Sequence, residues 1–95
     1  MFIVQLKFSE NKSQAKEYMQ SHLDWLQAGY DKGVFVLSGS IQPNLGGGII
    51  ANGVSLEELE GMVAEDPFVE HKIVTSEIIE LSASKCDDRL SFLLN

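Results

Sequence analysis

Ninety-five residues, 44% of them hydrophobic, suffice for one globular domain and leave no room for a second. Fourteen acidic side chains against seven basic ones give a net charge of −7, which argues against a nucleic-acid partner and against an anionic membrane surface. The single cysteine, Cys86, excludes an intramolecular disulfide and suits a reducing compartment.

The opening MFIVQLKF has no basic leader, and every apolar run is far shorter than the roughly 18–20 residues that span a bilayer. The expectation is a cytoplasmic protein with no membrane segment. A domain this small buries only about 60–65% of the surface its unfolded chain exposes, so self-association is expected to add stability.

Phe2, Val4, Leu6 and Phe8 alternate with Ile3, Gln5 and Lys7, the period of a strand with one apolar face. Over residues 13–32 the period becomes helical. Ala15, Met19, His22, Leu23, Leu26 and Tyr30 share one side, with Tyr18 and Trp25 at its edge. Gly33 ends this helix through its tolerance of left-handed backbone.

Residues 34–41 read as a second strand, apolar on both faces in its first half. Helices of so small a domain cover one sheet face, so the other is expected to meet a second subunit. Gln42-Pro43-Asn44 is a turn, and residues 45–52 return as a third strand beginning with three glycines.

Val54-Ser55-Leu56-Glu57-Glu58-Leu59 carries a capping box and a hydrophobic staple, which start a second helix. That helix is expected to stop at Asp66, because Pro67 pushes the preceding residue out of the α region. A last strand covers about residues 72–81. The tail, 82–95, holds Leu90, Phe92, Leu93 and Leu94, which call for burial on a partner or form a frayed end. The order βαββαβ is that of a ferredoxin-like α+β fold, an antiparallel sheet with two helices on one face.

His22 is the one polar residue inside the apolar stripe of the first helix. A buried imidazole needs partners for both ring nitrogens. One reading is a core histidine held by a backbone carbonyl. The other pairs it with Asp66, at the corner made by Pro67, because both helices cover the same sheet face. A carboxylate on one ring nitrogen fixes the tautomer and frees the other as base or acid. Asp-Pro also commonly just opens a turn.

Ser38, Gly39 and Ser40 are candidates for lining a pocket at the end of the second strand, though a strand yielding to a turn has the same composition. Trp25 and Phe68 are expected to offer it an apolar wall. Gly46-Gly47-Gly48 lacks the GK[ST] ending of a phosphate loop and leads into a strand. No metal or cofactor is expected, since one cysteine and two histidines match no ligand spacing. His71 reads as solvated.

The stretches YMQSHLDWL (18–26), Leu37-Ser38-Gly39-Ser40 and Glu65-Asp66-Pro67-Phe68, in this order, resemble the YciI-like (YCII-related) family of small bacterial proteins. The resemblance runs from the first strand to about Leu81 and leaves the tail outside. It implies a ferredoxin-like fold of the dimeric α/β-barrel type, pairing through the sheet. It also implies an active site whose histidine and aspartate fall on His22 and Asp66, with Ser38 and Gly39 nearby. Ser40 stands where many relatives carry a proline.

Two functions are expected to compete. The first is an enzyme on a small organic molecule, of lyase, isomerase or dehalogenase type, with His22 transferring a proton and Asp66 orienting it. Ser38, Gly39, Ser40, Trp25, Pro67 and Phe68 would then contact the substrate. The second is a non-catalytic binding or regulatory module, in which His22 and Asp66 form a structural pair.

Overall fold

The structure, a computed structural model, describes residues 1–94; the end of the expected tail, Asn95, lies outside the described residues. Strand β1 is Phe2–Phe8, β2 is Phe35–Ile41, β3 is Gly46–Ala51 and β4 is Val74–Glu80. Helix α1 is Ala15–Asp31, entered through a 3₁₀ turn at Lys12–Gln14; α2 is Leu56–Ala64 and α3 is Pro67–Glu70. The four strands form one sheet in the order β2-β3-β1-β4, with every neighbouring pair antiparallel. This is the ferredoxin-like α+β fold.

The period of two in β1 decides which face the helices cover. Phe2, Val4 and Leu6 are buried, and their sheet neighbours Ala51, Ile49 and Gly47 look the same way. Leu59 and Val63 of α2, Phe68 of α3 and the adjoining Ile73 close the core above them. Each such side chain, fully buried, contributes about 1.5–3 kcal/mol.

The capping box forms as its spacing requires. Ser55 Oγ accepts from the Glu58 amide and the Glu58 carboxylate accepts from the Ser55 amide, both at 3.1 Å. Gly33 follows α1 at φ 73, in the left-handed region.

Three expectations change. Helix α1 turns a different edge inward: Tyr18, Trp25 and Leu26 pack on the core, whereas Met19 and Leu23 stay exposed. Gly29 explains the rotation, because a Cβ there would overlap the Phe35 ring, so α1 sits directly on β2 at that point. Residues after Asp66 form a separate short helix rather than a bare turn. His71 is half-buried and stacks on Tyr18, centroids 3.9 Å apart.

The face away from the helices is open. Sheet pairing sets Leu37, Ile50, Ile3 and Ile79 side by side, one from each strand, as an apolar row across it. Leu37 is 62% exposed. In the tail, residues 88–94 form two short 3₁₀ turns that meet at a kink at Leu90, with Leu93 buried and Leu90, Phe92 and Leu94 exposed. No helix among the described residues is long and apolar enough to cross a membrane.

Candidate functional site

Asp66 is the fixed point of the site. It is fully buried and occupies the N-cap of α3 in extended backbone, with Pro67 at the first helical position, where a missing N–H costs nothing. Its Oδ1 accepts from the Phe68 amide at 3.0 Å. The same Oδ1 lies 2.8 Å from His22 Nδ1, so α1 and α3 are joined across forty-four residues of sequence. Oδ2 is buried and bonds no other group among the described residues.

The imidazole is held on its flat side as well. It lies on the Phe68 ring with centroids 4.0 Å apart and planes 5° from parallel. With Nδ1 committed to Asp66, Nε2 is the ring nitrogen left for other partners, and the His22 side chain is 16% exposed.

That exposure opens into a cavity of about 290 Å³ between α1 and the sheet, lined by residues of all four strands. Leu6, Phe8, Leu26, Ile49 and Val74 make its apolar walls, and Met19 and Leu23 line it from their exposed edge of α1. His22, Ser38 and Ser40 are its side-chain polar groups, and among the described residues no Lys, Arg, Asp or Glu lines it.

The hollow exists because of Gly47. Its register partners Leu6 and Ser40 face the helices, and glycine puts no side chain between them. Sequence patterning shows the glycines but not this consequence.

Of the residues expected at the site, His22, Ser38, Gly39, Ser40 and Phe68 line the cavity. Asp66 stands behind His22. Trp25 and Pro67 are not among the lining residues: the Trp25 Nε1–H donates to the Met62 carbonyl at 2.9 Å and its ring packs on Phe35, tying α1 to α2. Pro67 sets the helix start instead. Tyr30 was missed as a polar neighbour of the site; its hydroxyl is 2.9 Å from Ser38 Oγ. Among the described residues no three His, Cys, Asp or Glu side chains gather as a metal site would require.

The four-stranded antiparallel sheet with its helices on one face places the chain in the class of small ferredoxin-like α+β domains. Within that class the chain belongs to the YCII-related domain family, whose pattern matches residues 1–82. The 5-chloro-2-hydroxyhydroquinone dehydrochlorinase (TftG) from Burkholderia phenoliruptrix AC1100, solved in complex with 2,5-dihydroxybenzoquinone, shares the fold with a TM-score of 0.69. That likeness covers 85% of this chain and 93% of the other at 15% identity. No curated protein matches the sequence.

Proposed function

We propose that this protein is a small-molecule enzyme in which His22 moves a proton and Asp66 orients it, in an elimination, isomerisation or dehalogenation of a cyclic compound. The observation that carries this reading is the 2.8 Å bond from His22 Nδ1 to Asp66 beside an apolar cavity lined by the same imidazole.

A carboxylate on Nδ1 favours the tautomer with its proton there, and Nε2 then offers a lone pair. In an elimination, Nε2 takes a proton from the substrate and the electron pair left behind forms the new double bond. The leaving group departs as an anion, and the imidazolium returns its proton to solvent. In an isomerisation the same nitrogen gives the proton back at another atom of the ring. Asp66 supports the charged imidazole, because a buried carboxylate with one unpaired oxygen gains from a cation beside it. The fold relative named as a dehydrochlorinase carries out a reaction of this type, which supports the reading without assigning a substrate.

The test is halide release from chlorinated hydroquinones and deuterium exchange into cyclic ketones, compared between wild type and His22→Gln. The rate is expected to fall about 10²–10⁴-fold in the variant, as loss of a general base does. Equal rates in the two proteins would sink the proposal.

One observation favours the rival reading, a binding module with a structural pair: Asp66 Oδ1 also caps α3. That reading expects His22→Gln to alter melting and leave every turnover assay blank. We further infer a cytoplasmic homodimer joined through the open sheet face, supported by the apolar row Leu37–Ile50–Ile3–Ile79, which a second copy would bury against its own.

A further inference from the structure

We propose that Tyr30 and Ser38 form a second polar pole of the cavity, which selects a neutral ring compound by hydrogen-bonding an acceptor oxygen on it. This inference rests on the reading of the cavity as the site where His22 acts.

Size and charge limit the occupant first. An apolar cavity of about 150 Å³ accepts a benzene ring, so 290 Å³ holds a single ring with substituents. Among the described residues no Lys or Arg lines the cavity to neutralise a carboxylate or phosphate, and His22 is already paired with the Asp66 carboxylate. Desolvating such an anion against Leu6, Leu26 and Ile49 would be costly. A neutral molecule is what these walls accept.

Orientation then needs a directional group. Ser38 pairs with Ile49, whose side chain is buried under the helices, so Ser38 faces the same way, into the cavity. Its Oγ is 2.9 Å from the Tyr30 hydroxyl. The phenol is the more acidic of the two and is the natural donor. With Tyr30 donating to Ser38 Oγ, the serine's own proton turns into the cavity, and the first bond polarises the second. Ser38 is thus the binding residue and Tyr30, which does not line the cavity, a positioning residue acting through it.

The experiment uses two probes of one shape: acetophenone, which presents a carbonyl oxygen, and α-methylstyrene, which has a methylene in its place. NMR titration of the full chain gives both affinities, and infrared spectroscopy reads the carbonyl stretch of bound acetophenone. Wild type is expected to prefer acetophenone by roughly two- to tenfold, the worth of one net hydrogen bond, with the stretch lowered. Ser38→Ala should equalise the affinities and restore the stretch. Tyr30→Phe should at least halve the preference without weakening α-methylstyrene, whereas a merely structural role would weaken both probes alike. Ser38→Thr, which retains the hydroxyl, should keep the preference and guards against misreading a folding defect in Ser38→Ala. Equal affinities in wild type, or an unchanged preference in Ser38→Ala or Tyr30→Phe, overturn this inference while the cavity reading stands. Failure of both probes to bind at millimolar concentration overturns the cavity reading together with it.

Discussion

Phe68 holds His22 by the same three-residue corner that presents Asp66 to it. The Phe68 ring lies 4.0 Å from the imidazole, and the Phe68 amide donates to the carboxylate oxygen that Nδ1 also meets. Asp66, Pro67 and Phe68 therefore act as one device. The aspartate caps the helix and bonds the ring, the proline fixes the start of that helix, and the phenylalanine supports the ring from below.

This sharing of Oδ1 separates two substitutions. Asp66→Asn keeps an oxygen for the Phe68 amide and should cost little stability, while removing the charge that supports an imidazolium. Asp66→Ala removes cap and partner together and should destabilise by about 1–2 kcal/mol, or roughly 4–8 °C in melting temperature per kcal/mol for a domain of this size. Urea unfolding of the two variants checks this, and equal losses would show that the cap is not what Asp66 supplies.

The fold was legible because its signals are periodic and local. Alternation in Phe2–Phe8 names the buried face of β1, and Ser55 with Glu58 names the start of α2. His22 stood out as a polar interruption of an apolar stripe, and Asp66 as the residue held by Pro67. What escaped is what depends on placement in space. Trp25 looks like a pocket wall until Gly29 rotates α1 against Phe35 and turns the indole toward Met62. Pro67 looked like a stop, but Asp-Pro is also the opening of a helix, and α3 begins there. The approach of Tyr30 to Ser38, from a helix to the next strand, has no spacing rule that would reveal it.

Proposed pairing through the open sheet face predicts a dimer by light scattering at micromolar concentration. Leu37 begins the apolar row and is far from the helix-side cavity face, since it alternates with Ser38. Leu37→Glu should weaken association at least about tenfold, the equivalent of losing one buried leucine, and leave the cavity unaltered. A monomeric wild type would remove this account of the row.

The capping box of α2 gives stability a measurable pH dependence. Hydrogen bonds from Ser55, the amide first and the side chain second, hold the Glu58 carboxyl below its ordinary value of 4.5. A lowered folded-state value means that the ionised form favours the folded chain. Its contribution is complete above 4.5 and is lost as pH falls through the lower folded-state value. The difference in stability between wild type and Glu58→Gln should therefore shrink on acidification below that point. Chemical denaturation at a series of pH values checks it, and a difference independent of pH would contradict the role given to the charge.

Gly47 offers the sharpest test of where a ligand sits. It is not at positive φ, and a Cβ there would meet only the Gly39 carbonyl oxygen at 3.6 Å, an ordinary contact. Gly47→Val should therefore fold, with stability changed by no more than about 1 kcal/mol, the span of strand preference. Its methyl groups would occupy the space between Leu6 and Ser40 that the ligand is proposed to use, so ring compounds should lose at least about tenfold in affinity, the effect of filling a cavity their apolar surface needs. Gly46, one residue earlier, is the contrast. It sits at φ 136, and a Cβ would overlap the Leu6 carbonyl, so Gly46→Ala should destabilise the sheet by about 1–3 kcal/mol. Melting curves and NMR titrations on the two variants separate a filled cavity from a damaged fold. Undiminished ring binding by a stable Gly47→Val protein would place the ligand away from the glycine floor, and with it away from His22.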